Sequence, residues 1–398
     1  MASPGGEKPY RLYRGGRVKG RVPTAEPSKA PPRGPRAPRD GRRQYRGPGP
    51  RPKKARRAPS RIRWGREIGI AILLSLLFFI LWAVLGYVTF RGGVSAANKR
   101  LPETARTALA ADKGSLFSNS TSVLLLGTDH SAQVARQGDR HSDSITLLHT
   151  DPDHGRLYYL SIPRDLQVEI PGYGTAKINT AYQVGGPRLA IRTVSSYTGI
   201  PVNHVIVVDF AQFQDLIDKI GGIDVAVPRP IVSKFDCPYA SPVRCSRWPG
   251  WRFPKGKVHL NGKRALIYSR VRKNSLDPSE TDITRGERNQ QVLQAVMSKL
   301  AGFGTYVRMP FIGGSLLKPL ATDLSANQFL ALGWDKYRSG TTIHCRLGGS
   351  STGGSIAPSE DNAKVILMIL GKSAPQPPGP TGDTFPPGCF VGNVPPGR

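Results

Sequence analysis

The segment SVLLLGTDH, residues 122–130, places a short apolar run directly before an aspartate. Similar apolar or β-branched runs follow at residues 144–149, 157–162 and 204–208. Each of the four is bounded by turn or polar residues, a pattern that is typical of β-strands. We therefore predict four strands, of which the first covers residues 122–126 and ends shortly before Asp129.

Helical segments are predicted between and after these strands, at residues 187–197, 211–220 and 286–300. The apolar residues of the third segment recur at helical spacing and are Val292, Leu293, Val296, Met297 and Leu300. Strands that alternate with helices favour a layered sheet with helices on its faces. Residues 120–372 are enough for one substantial core. We predict an α/β protein, in which an α-β-α layered domain has a mixed central sheet.

The chain of 398 residues has a formal net charge of +30 and 38% hydrophobic residues. Residues 1–67 hold 21 Lys/Arg against 4 Asp/Glu, and 12 of the 36 prolines. Such a segment buries too little surface to offset its ordering entropy, so we predict a disordered basic tail. No helix-turn-helix, zinc finger or aromatic-studded sheet accompanies the tail. Attraction to anionic lipid at the cytoplasmic membrane face is the simpler interpretation, and no nucleic-acid partner is expected.

A run of 23 residues without charge, IGIAILLSLLFFILWAVLGYVTF, occupies residues 68–90. As a helix it is long enough to cross a hydrocarbon core of about 30 Å. A cleaved signal peptide would have a shorter core and no long polar segment before it. A buried core helix rarely runs this long without polar interruption. We therefore predict a retained transmembrane helix.

Basic residues are denser before this run than after it. They are Arg56, Arg57, Arg61, Arg63 and Arg66 on one side, and Arg91, Lys99 and Arg100 on the other. The positive-inside rule places the N-terminus in the cytoplasm and residues 91–398 outside. We predict a single-pass protein of the cell membrane. Its parts are a cytoplasmic tail (1–67), a transmembrane helix (68–90), a stalk or linker (91–119), an extracytoplasmic domain (120–372) and a Pro/Gly-rich C-terminal tail (373–398).

All four cysteines fall in the predicted external part, where disulfides can persist. Four cysteines allow three pairings. The close spacing of Cys237 and Cys245 in a Pro-rich loop favours a local bridge, which leaves Cys345 to pair with Cys389. No Cys/His spacing resembles a zinc site.

Two aspartates flank predicted strands. Asp129 follows the apolar run VLLLG at a short distance, and Asp143 precedes the run SITLL. In α/β sheets, binding sites gather at strand ends, where the backbone passes into loops. Two carboxylates there can share one Mg²⁺, which often takes one or two carboxylates and completes its shell with water and phosphate oxygens. Turn or cap aspartates are an equally good interpretation of the spacing alone.

Further polar side chains follow the third predicted strand. Arg164 and Asp165 stand in SIPRD, where Pro163 fixes the backbone as the chain leaves the sheet. Lys177 and Asn179, in KIN, are candidate donors to phosphate and hydroxyl groups. A local ion pair between Arg164 and Asp165, and a surface position for Lys177, are the structural alternatives.

Arg270 and Arg272 lie two residues apart after ALIYS. If a strand continues through them, both side chains project from one face. Two guanidinium groups on one face repel unless an anion lies between them, and guanidinium forks bind phosphate oxygens. This pair therefore indicates an anion site.

The segment DITRGERN precedes the third predicted helix. Thr284 and Glu287 fit a capping box that opens the helix. Arg285, Arg288 and Asn289 then share one face near the positive end of the helix dipole, where anions bind. A capped, solvated first turn is the structural alternative. Together with Arg270 and Arg272, these two arginines favour the anion site.

Several segments, taken in order, resemble the LytR–CpsA–Psr family of bacterial cell-envelope proteins. They extend over residues 124–296 and are LLLGTD, HSDSITLL, YLSIPRD, KINTAYQVGG, VVDFAQFQDLIDKIGGIDV, LNGKRALIYSRVR and the D-x-x-R-x-x-R start of the last helix. The resemblance implies a phosphotransferase outside the cytoplasmic membrane. Such an enzyme moves a glycopolymer from a polyprenyl-pyrophosphate carrier to a hydroxyl of peptidoglycan.

By motif, the resemblance implies that Asp129 and Asp143 hold Mg²⁺ on the pyrophosphate and that apolar helices and strands enclose the prenyl tail. The pyrophosphate-binding residues that it implies are Arg164, Lys177, Arg270, Arg272, Arg285, Arg288 and Asn289. Phosphoryl transfer depends mainly on positioning and charge stabilisation, which a metal and arginines supply. Asp165 is the candidate general base, and metal-assisted attack without a dedicated base is the alternative.

The chain departs from the family pattern at two positions. Where the family usually has Arg-Ser-Asp, this chain has His141 before Ser142 and Asp143, and Arg140 one step earlier. In an extended segment Arg140 and His141 face opposite ways, so Arg140 replaces the usual arginine only across a bulge. Where the family has an Arg-Gln pair, this chain has Arg288 and Asn289, and asparagine is one methylene shorter than glutamine. Both departures bear on catalysis, and neither touches the aspartates.

Three other functions compete with the transferase. A hydrolase would let water attack the same pyrophosphate and would need no acceptor. A non-catalytic protein that binds the lipid carrier or the wall would keep lipid binding when the aspartates are replaced. A membrane-tethered regulator would bind DNA tightly and in a salt-sensitive way through residues 1–67 alone.

Overall fold

The computed structural model describes residues 64–112, 114, 116, 118–130, 140–234, 237–278, 282–300, 302–373 and 385–391. The predicted disordered tail therefore lies outside the described residues, except for its last four positions. Most of the predicted C-terminal tail does so too.

Fifteen strands are present in the described part of the chain. They are β1 (Ser122–His130), β2 (Arg140–Asp151), β3 (Arg156–Ile162), β4 (Gln167–Ile170), β5 (Gly174–Lys177), β6 (His204–Asp209), β7 (Ile223–Val227), β8 (Ile231–Ser233), β9 (Trp251–Phe253), β10 (Gly256–Leu260), β11 (Leu320–Thr322), β12 (Thr341–Arg346), β13 (Gly349–Thr352), β14 (Ser355–Pro358) and β15 (Gly388–Val391).

Ten helices accompany these strands within the same described residues. They are α1 (Trp64–Arg100), α2 (Glu103–Arg106), α3 (Ile178–Thr198), α4 (Phe210–Lys219), α5 (Pro242–Arg247), α6 (Gly262–Arg270), α7 (Asp282–Leu300), α8 (Phe303–Leu316), α9 (Ala326–Arg338) and α10 (Asp361–Ile369).

Seven strands form the central sheet, in the order β11-β6-β1-β2-β3-β12-β15. β1 pairs antiparallel with β2 and parallel with β6, and β3 pairs antiparallel with β2 and parallel with β12. β11 and β15 add antiparallel edges. The mixed sheet confirms the predicted fold class, and β1, β2, β3 and β6 contain the four predicted strands.

Helices cover both faces of this sheet, because alternate strand residues point in opposite directions. On β6, Val205 and Val207 belong to a first hydrophobic core with α2, α3 and α10, whereas Val208 packs on a second core on the other face. The second core is built from α1, α4, α6, α7 and α8. The α-β-α layering is thus confirmed.

The helix α1 is 37 residues long and contains the whole predicted membrane span. Its N-terminal part exposes large apolar side chains, as expected of a candidate membrane span. Beyond Gly86 the helix is part of the domain, and Val94 and Ala97 are buried in the second core. Leu101 and Ala105 are buried in the first core. Residues 94–105 therefore do not form the stalk that we predicted, because their small and apolar side chains fill the cores.

The predicted helix at residues 187–197 is the second half of α3. Gly186 interrupts α3 with φ +60° and ψ −157°, and Pro187 starts the next helical stretch. Glycine tolerates this positive φ, and proline is well suited to a first helical position because it has no N–H to satisfy. The interruption lets the two halves of α3 take different directions beneath the sheet.

Both predicted disulfides are present. Cys237 pairs with Cys245, and Cys345 of β12 pairs with Cys389 of β15 across adjacent strands. The second bridge ties the end of the chain to the sheet, and both of its cysteines are buried.

We expect C345A/C389A to lower the free energy of unfolding by about 4 kcal/mol, since this bridge closes the longer loop in the unfolded chain. The sequence separations are 44 residues for Cys345–Cys389 and 8 for Cys237–Cys245. C237A/C245A is the matched control and costs roughly 2.5 kcal/mol by the same relation. Denaturant unfolding in detergent measures both values. A larger loss in the control variant would contradict the expectation.

Candidate active site at one edge of the sheet

The two predicted metal-binding aspartates lie at the end of the central sheet where β1 ends and β2 begins. We call this end of the strands the site edge, although β1 and β2 are inner strands of the sheet. Asp129 of β1 pairs with His141 of β2. The register shifts between Gly127 and Thr128, and this shift accommodates Asp143 as an extra residue in β2. A β-bulge of this kind redirects side chains at functional edges. Only the backbone of Asp129 and Asp143 is described. It places them on adjacent strands, with Asp143 opposite the step from Gly127 to Thr128 and Asp129 next along β1.

The bulge does not change the relation between Arg140 and His141. His130 pairs with Arg140 and Asp129 pairs with His141, so the two β2 residues remain consecutive in an unbroken ladder. They therefore alternate in direction as expected for a strand. By backbone placement, Arg140 does not stand where the family has its arginine.

Arg164 lies at the same edge. β3 ends at Ile162, which pairs with Ile145 of β2. Arg164 is two residues beyond Ile162, and Asp143 is two residues before Ile145. Because the strands are antiparallel, both positions lie beyond the same end of the β2–β3 ladder.

Asp165 binds two of the cationic side chains that we predicted for the site. Its Oδ2 accepts a hydrogen bond from Nε of Arg164, and its Oδ1 accepts one from Nζ of Lys177, both at 3.2 Å. The Arg164 and Asp165 side chains are each 18% exposed, and that of Lys177 is 39% exposed. The local ion pair that we considered is therefore present. Since both oxygens of Asp165 accept from a cation, the arrangement favours a positioning role over that of a general base.

Backbone hydrogen bonds hold this group as one unit. The amide of Asn179 donates to the carbonyl of Arg164 at 3.2 Å, and the amide of Ile178 donates to that of Leu166 at 2.8 Å. The amide of Ile356 donates to the carbonyl of Asp165 at 2.9 Å. The turn after β3 and the start of α3 are thus fixed together, with Lys177 directly before the helix and Asn179 buried in its first turn.

Arg270 and Arg272 are not on a strand, so the prediction that they share a strand face is wrong. The run ALIYS belongs to α6, where Asn261 caps the helix by accepting from the amide of Arg264 at 2.9 Å. The run is buried along its whole length, and such a run does not distinguish a strand from a buried helix. Arg270 is the last residue of α6, and Arg272 is exposed in the loop after it.

The helix α7 starts at Asp282, four residues before the predicted start. Thr284 therefore lies inside the first turn and is not the cap, so the predicted capping box is wrong. The predicted helical face is confirmed, because Arg285 and Arg288 are buried at 8% and 4% exposure and Asn289 is half-buried.

Contacts join α7 to the end of α6. Nη2 of Arg288 donates to the carbonyl of Val271, the residue between Arg270 and Arg272. The hydroxyl of Tyr268 donates to Oε1 of Gln291 at 2.7 Å. A second group of cationic residues therefore lies where α6 ends and α7 begins, and its members are Arg270, Arg272, Arg285 and Arg288.

The helix α7 is also held on the sheet. Nε2 of Gln294 lies 3.0 Å from Nε2 of His344 in β12, and the His344 ring stacks on Tyr159. Burial, together with the nearby charge of Lys336, lowers the pKa of His344 to about 4. The ring is therefore neutral at neutral pH and accepts a hydrogen bond from the Gln294 amide.

The sequence predicted an apolar enclosure but none of its lining residues. A cavity of about 350 Å³ lies between the end of α1, the first half of α3 and the β6–β11 pair. Its lining includes Arg100, Leu101, Tyr182, Gly186, Val207 and Ala321. Tyr182 is just over one helical turn beyond Lys177, and Val207 is two residues before the end of β6. The cavity therefore adjoins the edge that carries the aspartates.

A third carboxylate at this edge, Asp209, was also missed. It ends β6 and pairs with Thr128, the neighbour of Asp129. Its Oδ2 accepts a hydrogen bond from Gln212 at 3.2 Å. The signal was available, since Asp209 follows the apolar run VIVV much as Asp129 follows VLLLG.

The LytR_cpsA_psr family matches residues 87–344, a range that contains every predicted site residue. The polyisoprenyl-teichoic acid–peptidoglycan teichoic acid transferase TagV of Bacillus subtilis (strain 168) is 29% identical over 269 residues, covering 66% of this chain and 65% of TagV. This chain thus spans slightly less than two thirds of TagV. TagU of Bacillus mycoides (strain KBAB4), named as the same kind of transferase, is 33% identical over 268 residues, covering 64% of this chain and 80% of TagU.

Two solved structures share this fold. The crystal structure of B. subtilis TagV aligns with a TM-score of 0.51 at 28% identity, over 65% of this chain and 99% of that one. A structure of TagT bound to LI-WTA aligns with a TM-score of 0.50 at 26% identity, over 66% of this chain and 95% of that one. The family match and the shared fold agree with the order of motifs along the sheet edge. The chain belongs to the LytR–CpsA–Psr family.

Proposed function

We propose that this protein transfers a glycopolymer from a polyprenyl-pyrophosphate carrier to peptidoglycan and leaves a phosphodiester link. The observation that carries the proposal is one sheet edge with Asp129, Asp143 and the Arg164–Asp165–Lys177 group beside an apolar cavity. The relatives TagV and TagU, named as polyisoprenyl-linked teichoic acid transferases, support the same reaction class.

The residues at this edge fit Mg²⁺. The register of β1 and β2 places the backbones of Asp129 and Asp143 near each other on adjacent strands, and carboxylate oxygens are ligands that Mg²⁺ prefers. Asp129 and Asp143 would hold the ion. When bound, it would neutralise charge on the pyrophosphate oxygens.

The cationic residues bind and orient the pyrophosphate. Arg164 and Lys177 are held in place by Asp165, and their positive charges attract the phosphate oxygens. The group at α6 and α7 supplies the other cationic residues of the proposed pyrophosphate site. They are Arg270, Arg272, Arg285 and Arg288, and the proposed site also includes Asn289. With the substrate fixed, the acceptor hydroxyl oxygen bonds to the phosphorus next to the sugar, and the bond from that phosphorus to the polyprenyl phosphate breaks.

The site stands well away from the end of the apolar run. Nε of Arg100, at the end of α1, donates to the carbonyl of Leu320 at 2.9 Å, and Leu320 pairs with Val208 beside Asp209. The 10 residues from Phe90 to Arg100 span roughly 15 Å of helix. The prenyl chain must therefore leave the bilayer to bring its pyrophosphate to the site, and the cavity shelters part of it from water.

We propose that α1 spans the membrane with its N-terminus in the cytoplasm, which puts the sheet and its site outside the cell membrane. The arginine-rich flank before residue 68 supports this orientation. Peptidoglycan lies on the same side, so carrier and acceptor meet at the site.

Gly186→Val is expected to raise the KM for the carrier about tenfold, with a smaller change in kcat. Gly186 lines the cavity at φ +60°, where a β-branched side chain is strained and takes up space in the cavity. Gly199→Val is the matched control, because Gly199 has φ +64° at the end of the same helix. Steady-state kinetics at a temperature where both variants are folded measure the effect. Equal KM values for the two variants would contradict it.

Acceptor dependence separates the transferase from the hydrolase. The purified full chain, in detergent with Mg²⁺ and a polyprenyl-pyrophosphate-linked sugar, is assayed for polyprenyl phosphate with and without peptidoglycan oligomers. A transferase releases it at least about tenfold faster with the acceptor. Equal release in both reactions indicates hydrolysis. Carrier binding without release under either condition indicates a non-catalytic carrier protein.

A further inference from the structure

The helix α8 exposes an apolar stripe. Phe303, Val307 and Phe311 recur every four residues, which places them on one face. Their exposed fractions are 76%, 42% and 78%. The only charged residue in α8 is Arg308. An exposed apolar face of this kind marks a site of contact with a membrane or another protein.

This helix packs closely on the helix that carries the candidate membrane span. A Cβ atom placed on Gly93 would lie 3.0 Å from the backbone oxygens of Gly313 and Gly314. One placed on Gly313 would lie 3.0 Å from the backbone nitrogen of Phe90. Small residues let helices approach in this way inside membranes, and the contact fixes α8 firmly against α1.

The two helices run in the same direction. Gly86 of α1 lies against Met309, and Gly93 lies against Gly313, so positions rise together along both helices. The N-terminal half of α8, which starts at Phe303, therefore points back toward the exposed part of α1. It points away from the sheet edge that carries the candidate site.

The stripe reaches the level of the candidate span. The rings of Phe311 and Trp82 meet edge to face with centroids 5.6 Å apart. Trp82 is eight residues before Phe90, the last residue of the apolar run, a distance of roughly 12 Å along the helix. A side chain in contact with Trp82 is thus well inside the apolar layer that α1 crosses.

The helix α9 provides a second aromatic surface at the end of that run. Asn327 accepts a hydrogen bond from the Tyr87 hydroxyl at 2.8 Å, and Phe329 packs on Phe90. From the same helix, Trp334 and Tyr337 are 50% and 82% exposed. Trp and Tyr are enriched at membrane–water interfaces because one end of each ring system is polar.

We infer that α8 is embedded in the outer leaflet of the membrane beside α1, with α9 lying at the headgroup level. The occupant of the stripe is lipid, because the stripe is continuous with the lipid-facing surface of α1. Arg308 does not interrupt the stripe, because its guanidinium group lies against the domain, with Nη1 3.3 Å from the position of a Cβ atom placed on Gly221. The domain is therefore docked on the bilayer at a fixed height. This inference rests on α1 as the membrane span and not on the reaction.

Depth-dependent quenching tests the inference. F303C and F311C of the full chain are labelled with an environment-sensitive fluorophore and reconstituted in vesicles of three parts phosphatidylcholine and one part phosphatidylglycerol. Nitroxide groups are carried at two depths on the acyl chains. Y173C is the matched control, since Tyr173 is 54% exposed in the turn between β4 and β5.

We expect acyl-chain nitroxides to quench the labels at 303 and 311 at least threefold more than the label at 173, while aqueous iodide quenches mainly the latter. Equal quenching at the three positions by iodide, with none by the lipids, would overturn the inference. So would disulfide cross-linking of F311C between two chains that persists when the lipid-to-protein ratio is raised tenfold, because a second copy would then cover the stripe. Loss of transfer activity in these variants does not bear on either outcome.

Discussion

Replacement of Asp129 and Asp143 together by asparagine is expected to lower the rate of transfer by about 1000-fold or more. Loss of a single preorganised electrostatic contact already costs 10²- to 10³-fold in enzymes of known mechanism. The double variant removes both carboxylates that are proposed to hold Mg²⁺. Asparagine has nearly the same size and shape as aspartate, so the fold is expected to be retained.

Two controls accompany this variant. D153N changes an exposed aspartate in the turn after β2, at the opposite end of that strand, and is expected to leave the rate unchanged. Calorimetric titration with Mg²⁺ in the presence of the carrier reports metal binding separately from turnover. Transfer within tenfold of the wild type, or Mg²⁺ binding of unchanged affinity in D129N/D143N, would contradict the assignment.

The substitution Asp165→Asn is expected to lower kcat/KM about 100-fold without changing the shape of its pH profile. The charged carboxylate holds the Arg164 Nε and the Lys177 Nζ at 3.2 Å each, and the neutral amide releases both cations from their positions. Charge-assisted hydrogen bonds of this kind contribute about 1.5–3 kcal/mol each. The loss therefore arises from misplacement of the pyrophosphate.

The pH profile distinguishes this role from general-base catalysis. If Asp165 took the proton of the acceptor hydroxyl, the substitution of Asp165 would abolish the acidic limb in the plot of kcat/KM against pH. An unchanged limb with a reduced plateau indicates a positioning residue. D151N is the matched control, because Asp151 also accepts from a nearby side chain, His154, and its side chain is 16% exposed, but it lies at the opposite end of β2 from the site.

The strands could be predicted because each apolar run is short and ends at polar residues. The register of the strands and the β-bulge could not be predicted, because strand pairing depends on contacts between residues that are distant in the sequence. Asp143 illustrates this point, because its place beside Asp129 follows from a one-residue shift in the ladder. The order of motifs named the candidate residues, whereas the structure shows which backbone positions are adjacent.

The failures have physical causes. ALIYS carries residues that favour strands, yet Gly262 lies so close to α4 that a Cβ would clash with the backbone of Gln214, and this packing settles the segment as a helix. Residues 94–105 looked like a linker because their apolar positions are few. Their partners, among them Leu316 and Val202, are far away in the sequence. The cavity was missed for the same reason, since α1, α3 and β6 contribute to it from distant segments.

The most direct test of the central claim is detection of the linked product. The wild-type full chain is incubated with Mg²⁺, a polyprenyl-pyrophosphate-linked sugar that carries ³²P next to the sugar, and peptidoglycan oligomers. The account predicts that the label enters the peptidoglycan in a phosphodiester identified by mass spectrometry, and that D129N/D143N forms none. Label that appears only as sugar phosphate or inorganic phosphate, with no labelled peptidoglycan, would contradict it.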